Sequence, residues 1–177
     1  MKPQDGLVII YTGEGKGKTT AAMGLVLRSL GHGKKVLIIQ FGKATFSGEI
    51  KALERFGDSV KLIQGGVGFV GILGDKKPLS VHKAAAEDIY TILNNEVKSN
   101  KWDLIVADEI IGAVSGKLLD IKVILDLIET KPETLDLILT GRGAFPEMIE
   151  KADLVSEIKS IKHPYDKGAK IKKGIDY

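Results

Sequence analysis

The sequence predicts a three-layer α/β fold around a mostly parallel sheet. Three observations predict it. Short apolar, β-branched runs alternate with longer stretches of helical periodicity, the pattern of repeated strand–helix units. Runs such as Val36-Leu37-Ile38-Ile39 are apolar at every position, which suits strands covered on both faces. The chain has 177 residues, enough for one such domain with a sizeable core, and no repeat, low-complexity tract or long linker divides it. Residues 1–177 are therefore expected to form a single domain, ending in a basic tail over 159–177.

Taken in order, strands are expected over 7–11, 36–41, 60–64, 104–108, 135–140 and 154–161, the last with partial alternation. Helices are expected between them. The first, 18–30, closes on Gly31 as a C-cap glycine. A short one over 47–56 has Ser47 at its N-cap. The longest, 80–99, takes its apolar positions from Val81, Ala85, Ile89, Ile92, Leu93 and Val97. The next, 120–130, opens on Asp120 as N-cap and stops before Pro132. The last, 146–152, has Pro146 in its first turn. Ligands of parallel sheets sit beyond the carboxyl ends of the strands. That rule directs attention to the loops 13–17, 42–48, 65–78, 109–116 and 141–146.

Composition excludes several classes. Hydrophobic residues at 44% and charged residues at 28% are ordinary globular usage, which removes a disordered chain from consideration. No run of eighteen apolar residues offers a membrane span, and residues 1–6 lead into the first strand without a signal-peptide pattern. The absence of cysteine removes disulfides, a thiol nucleophile and a cysteine metal site. A cytoplasmic location without a membrane partner is the resulting expectation. The net charge is +3, but six lysines against Asp166 and Asp176 give the tail +4 and leave the rest of the chain at −1. Basicity confined to a tail, without interleaved aromatics, argues for a solvated lysine face and against nucleic acid.

The chemistry concentrates in Thr12-Gly13-Glu14-Gly15-Lys16-Gly17-Lys18-Thr19-Thr20, between the first strand and the first helix. Glycines there let backbone N–H groups converge on an anion, and the helix N-terminus adds partial positive charge. Lys18 would reach phosphate oxygens and the Thr19 hydroxyl would ligate magnesium. The usual pattern, G-x-x-x-x-G-K-[ST], has glycine where this chain has Thr12; the glycines are packed at 13, 15 and 17 instead. A nucleotide-phosphate site follows, and with it a P-loop NTPase-like (RecA-like) form of the fold.

A second signal is Leu104-Ile105-Val106-Ala107-Asp108-Glu109, an apolar strand ending in two acids beside that loop. One carboxylate would hold magnesium directly or through water, and the spacing leaves open which. In hydrolytic P-loop proteins the second acid often orients a water, so Glu109 is the ambiguous one. The stretch from Gly65 to Gly74 is too glycine-rich for a helix and too apolar for a solvated loop. Covering a large, flat, partly apolar ligand and packing on the body or on a partner subunit fit it equally. Arg142, between Gly141 and Gly143 after a buried strand, suits a phosphate or carboxylate contact. Arg28 reads as a core-edge ion pair or a nucleotide contact. His32, His82 and His163 lack metal-ligand spacing and are expected to be structural.

Over nearly its whole length the chain resembles the P-loop type of ATP:corrinoid adenosyltransferase. The resemblance is carried by Tyr11 to Ala22, by Arg28-Ser29-Leu30-Gly31-His32-Gly33, by the strand ending in Gln40-Phe41 and by Asp108-Glu109-Ile110. It continues through Leu139-Thr140-Gly141-Arg142-Gly143, Ala152 to Glu157, Lys162 to Gly168 and Lys173-Gly174-Ile175-Asp176-Tyr177. Thr12 in place of the first glycine is what that family shows. The resemblance implies attack by Co(I) of a reduced corrinoid on C5′ of ATP, with the whole triphosphate leaving and adenosylcobalamin or adenosylcobinamide forming. It implies ATP contacts from Gly13, Glu14, Gly15, Lys16, Gly17, Lys18, Thr19, Thr20, Arg28 and Arg142. It implies catalytic roles for Lys18, Thr19 and Glu109, and magnesium or manganese held by Thr19 with Glu109 or Asp108. Gln40, Phe41 and Phe69 would face the corrinoid. An electron donor such as a reduced flavoprotein and a homodimer are implied in the same way. Members often carry a basic amphipathic helix before the first strand, where this chain has six residues, and the family loop Gly-Phe-Thr-Trp reads Gly68-Phe69-Val70-Gly71 here. A corrinoid without its lower base is therefore the more secure expected substrate. The rival expectation is a P-loop NTPase or kinase acting at the γ-phosphate.

Overall fold

The structure is a computed structural model that describes residues 5–42, 48–68, 70–71 and 75–175, except for the side chains of Asp166 and Lys167. Six strands form one sheet: β1 (Val8–Thr12), β2 (Val36–Phe41), β3 (Val60–Gly65), β4 (Leu104–Asp108), β5 (Asp136–Thr140) and β6 (Leu154–Glu157). Their order is β3-β2-β4-β5-β1-β6 and every pairing is parallel. The α-helices are α1 (Lys18–Gly31), α2 (Gly48–Leu53), α3 (Leu79–Val97), α4 (Ile110–Ser115), α5 (Ile121–Thr130) and α6 (Pro146–Lys151). Short 3₁₀ segments follow at Glu54–Ser59 and Pro164–Lys167.

Period-two alternation divides the apolar residues of the central strands between two cores. Leu37, Ile39, Ile105, Ala107, Leu137 and Leu139 meet Ala86, Ile89, Leu93, Ile110, Ile124 and Leu127 in the larger cluster. Their neighbours Val36, Ile38, Leu104, Val106 and Ile138 meet Ala22, Val26 and Leu30 of α1 in the smaller one. This two-sided covering is why the central strands are continuously apolar. The buried stripe of α1 is Lys18, Ala22, Val26 and Leu30, at four-residue spacing. The same helical face that meets the sheet thus carries Lys18 under the loop that precedes the helix.

Several boundaries differ from expectation. Gly31 is inside α1; His32 is the C-cap residue and Gly33 takes the positive φ, 73°. The helix expected over 47–56 is split into α2 and a 3₁₀ turn, and Gly57 with φ 53° breaks the helical path; Ser47 lies outside the described residues. The buried stripe of α3 is His82, Ala86, Ile89, Leu93 and Val97, while Val81 and Ile92 are each 40% exposed. β6 ends at Glu157 instead of 161. Residues 109–116, expected as a loop, contain α4, which is buried at Ile110, Ile111, Ala113 and Val114 and so carries no amphipathic signature. Asp120 caps α5 as expected, accepting from the Lys122 N–H at 2.9 Å.

Candidate functional site

At the carboxyl end of β1 the chain bends through Gly13 (φ 102°) and Gly17 (φ 123°) into α1. Two of the closely spaced glycines have a packing reason. A Cβ on Gly13 would lie 2.5 Å from the Ile158 carbonyl oxygen, and one on Gly15 would lie 2.7 Å from the carbonyl carbon of Lys159. The segment leaving β6 crosses directly behind the loop and is bonded to it. The Ile158 N–H donates to the Thr12 carbonyl at 2.8 Å, and the Gly15 N–H donates to the Ile158 carbonyl at 2.7 Å. Thr12, standing where glycine is usual, accepts from the Ala144 N–H through its hydroxyl at 3.3 Å. That contact ties the loop to the turn after β5.

Lys18 folds back under the loop. Its ammonium donates to the carbonyls of Gly13 at 2.7 Å and Gly15 at 2.9 Å. Burial pushes its pKa below the usual lysine range; the Glu109 carboxylate opposes that most strongly, with Glu14 and Asp108 adding to it, while Arg142 acts with burial. Thr19, one residue on, donates its hydroxyl to Asp108 Oδ1 at 2.8 Å. Asp108 is fully buried and also accepts from Thr140 Oγ1 at 2.7 Å and Gln40 Nε2 at 2.9 Å. Buried charge needs such partners. Thr140 in turn accepts the Glu109 N–H at 2.9 Å, and Gln64 donates to Gln40 Oε1 at 3.0 Å.

Glu109 has φ 64°, a left-handed conformation unusual for a residue with a side chain. It lines a cavity of about 620 Å³ together with Arg142, Phe41, Val67, Gly68 and His82. Arg142 is exposed and pairs with Glu14 at 3.0 Å. The glycine-rich segment after β3 forms one wall of this cavity, with Gly66 and Val70 among its lining residues. A phosphate-type cradle and an open, largely apolar cavity therefore meet at Glu109 and Arg142.

The structure brings together Gly13, Gly15, Lys18, Thr19, Asp108, Glu109 and Arg142, with Glu14 reaching Arg142. Lys16 and Thr20 are exposed on the loop and the helix start. Gln40 is corrected. It is buried and bonded at both ends of its amide within the Asp108 network, so it is part of the support of that carboxylate and not of the cavity wall. Phe41 does line the cavity. Arg28 sits exposed in the last turn of α1. Ten residues place it about 15 Å along the helix from Lys18, and it does not join this cluster. Phe69 lies outside the described residues. Sequence reasoning gave no role to Thr140, Gln64 or Ile158, and it read His82 as structural. Polar residues ending apolar strands were the available signal for the first two.

A family model described as ATP:corrinoid adenosyltransferase BtuR/CobO/CobP matches residues 4–177. The chain belongs to the ATP:corrinoid adenosyltransferase family. A corrinoid adenosyltransferase of Escherichia coli strain K12 is 35% identical over 173 residues, covering 97% of this chain and 86% of that protein. One from Pseudomonas aeruginosa is 34% identical over 177 residues, covering 99% and 86%. Among solved structures, a KaiC-like protein from Pyrococcus horikoshii superposes with a TM-score of 0.57 at 16% identity, covering 86% of this chain and 73% of that one; this likeness concerns the fold alone. Membership of the adenosyltransferase family makes the chain an enzyme of ATP-dependent corrinoid adenosylation, as its motifs lead one to expect. Among the described residues no helix is long and apolar enough to cross a membrane.

Proposed function

We propose that the protein transfers the 5′-deoxyadenosyl group of ATP to Co(I) of a reduced corrinoid and releases triphosphate. The observation that carries this reading is the junction just described, where the phosphate cradle opens onto an apolar cavity across Glu109 and Arg142. The electron pair of Co(I) forms the bond to C5′, the C5′–O bond breaks, and its electron pair leaves with the triphosphate. Cobalt goes formally from I to III. The nucleophile carries its own electron pair, so no general base is required. What remains for the protein is to align C5′ with the incoming cobalt and to neutralise the leaving phosphates. Backbone N–H groups of the loop other than that of Gly15, which is bonded to Ile158, together with Lys18 and Arg142, suit the second task. The cavity wall of Phe41 and the glycine-rich segment suits the first.

The donor set at Thr19 and Asp108 is all oxygen, which fits a hard divalent cation such as magnesium or manganese. A Thr19 hydroxyl that donates to Asp108 keeps its lone pairs for a metal, so we assign the direct contact to Thr19 and the positioning of that contact to Asp108. Bound there, the cation would offset charge on the phosphates. Glu109 is then left to face Lys18 and the cavity. Arg28 is proposed as a nucleotide contact from its motif alone; its distance from the cradle lends it no support. An external electron donor, such as a reduced flavoprotein, and a homodimer likewise rest on the resemblance.

Anaerobic incubation with ATP, magnesium and reduced cobinamide tests the reading. The expected result is a cobalt–carbon bond spectrum with stoichiometric triphosphate. ADP or free phosphate without that spectrum would place the chemistry at the γ-phosphate and overturn it.

A further inference from the structure

The glycine-rich wall of the cavity is fixed at its start by backbone packing. A Cβ on Gly65 would lie 2.6 Å from Ile89 Cδ1, and one on Gly66 (φ 112°) would lie 2.7 Å from the Cα of Gly42, so β3's exit is pressed against α3 and β2's exit. Among the described residues, Gly71 farther along the wall is held by the Asp75 side chain. Asp75 accepts from the Gly71 N–H at 3.2 Å and the Lys77 N–H at 3.3 Å, and its Oδ2 lies 2.8 Å from His82 Nε2. A carboxylate only accepts here, so Nε2 carries the hydrogen. His82 lies in the first turn of α3, its side chain 1% exposed, and it lines the cavity. It occupies the buried stripe that Ala86, Ile89, Leu93 and Val97 continue, where an apolar side chain would fill the same space without reaching Asp75. The Lys77 ammonium, 3.6 Å from Asp75 and half exposed, adds little.

We propose that Asp75 and His82 are positioning residues for the corrinoid: together they latch the far end of the glycine-rich wall to α3 and so set the shape of the cavity that receives it. This rests on the reading of the cavity as the corrinoid site. The latch touches neither the phosphate cradle nor the Asp108 network, so it acts on one substrate and not the other.

The test measures KM for reduced cobinamide and for ATP separately, and kcat, in the full-length protein and in Asp75→Asn, His82→Ala, His82→Gln and Ser115→Trp. Thermal melts accompany each variant. Ser115→Trp places bulk into the cavity from α4 and probes the cavity without touching the latch. Asp75→Asn and His82→Ala are expected to raise the cobinamide KM about tenfold with the ATP KM within about twofold, and His82→Gln, which keeps an N–H donor, to recover most of that loss. Should His82→Ala fail to fold, Asp75→Asn carries the comparison. A raised KM in Ser115→Trp with an unchanged KM in the latch variants would refute the latch and leave the cavity assignment standing. An unchanged KM in Ser115→Trp as well would remove the cavity assignment, and the latch with it. Equal rises for both substrates, or a His82→Gln as impaired as His82→Ala, would reduce the pair to general structural support and overturn the proposal.

Discussion

Lys18 shows how one buried charge is kept in service. Burial lowers its pKa, and Glu109 is the group that opposes this most. Replacing Glu109 with Gln is therefore expected to lower the Lys18 pKa further. On the phosphate role proposed for Lys18, ATP binding draws on the charged ammonium, so its alkaline limb should move to lower pH, which a binding titration against pH would read. The sign for stability is the reverse. A lysine with a lowered folded pKa binds fewer protons than the unfolded chain between that value and 10.5, so its contribution to stability rises with pH across that window. Thr140 is the second residue to probe. Thr140→Val removes a donor from buried Asp108 and an acceptor from the Glu109 N–H, costing about 2 kcal/mol. For a chain of this size that is a fall of roughly 4–8 °C in melting temperature, measurable by calorimetry. Lys18, Thr19 and the two acids were legible because glycine, lysine and carboxylate have a fixed grammar around phosphate. Thr140, Gln40 and Gln64 were not assignable, because a support network between strands 24 to 68 residues apart has no local period.

Elements were legible in proportion to the contrast they carry. β2 and β4 match the expected bounds because both faces are covered and the apolar run stops where burial stops. α4 escaped notice for the opposite reason: six residues, buried at four, with Gly112 in the middle, offer neither amphipathic contrast nor length. The phase of α3 was misread because apolar Val81 and Ile92 face outward while a histidine takes an inward place. Two substitutions test the elements. Asp120→Ala removes the α5 cap and should cost about 1 kcal/mol, seen as a melting shift of roughly 2–4 °C. Gly66→Ala adds a methyl 2.7 Å from Gly42 at φ 112°. It should impair corrinoid turnover while leaving ATP affinity within about twofold, since the wall and the cradle are separate segments; loss of ATP binding measured by calorimetry would count against that separation.

At the scale of the whole molecule, the fold class was legible from alternation alone, but the strand order was not. β1 lies between β5 and β6, and only long-range pairing decides that. One product of this order is that the chain after β6 backs the phosphate loop through Ile158 and Lys159. A protein ended after Glu157 keeps all six strands yet should lose at least about tenfold in ATP affinity, whereas one ended after Lys162 should keep it, since the first lacks both bonds to Ile158.

The same arrangement constrains how the protein comes into being on the ribosome. The cradle is translated before either neighbour of its strand. A nascent chain stalled before Ile158 emerges displays Lys18 and Thr19 without the scaffold that shapes them. Nucleotide capture is thereby expected to wait for Ile158, so a polypeptide halted before it would not sequester ATP.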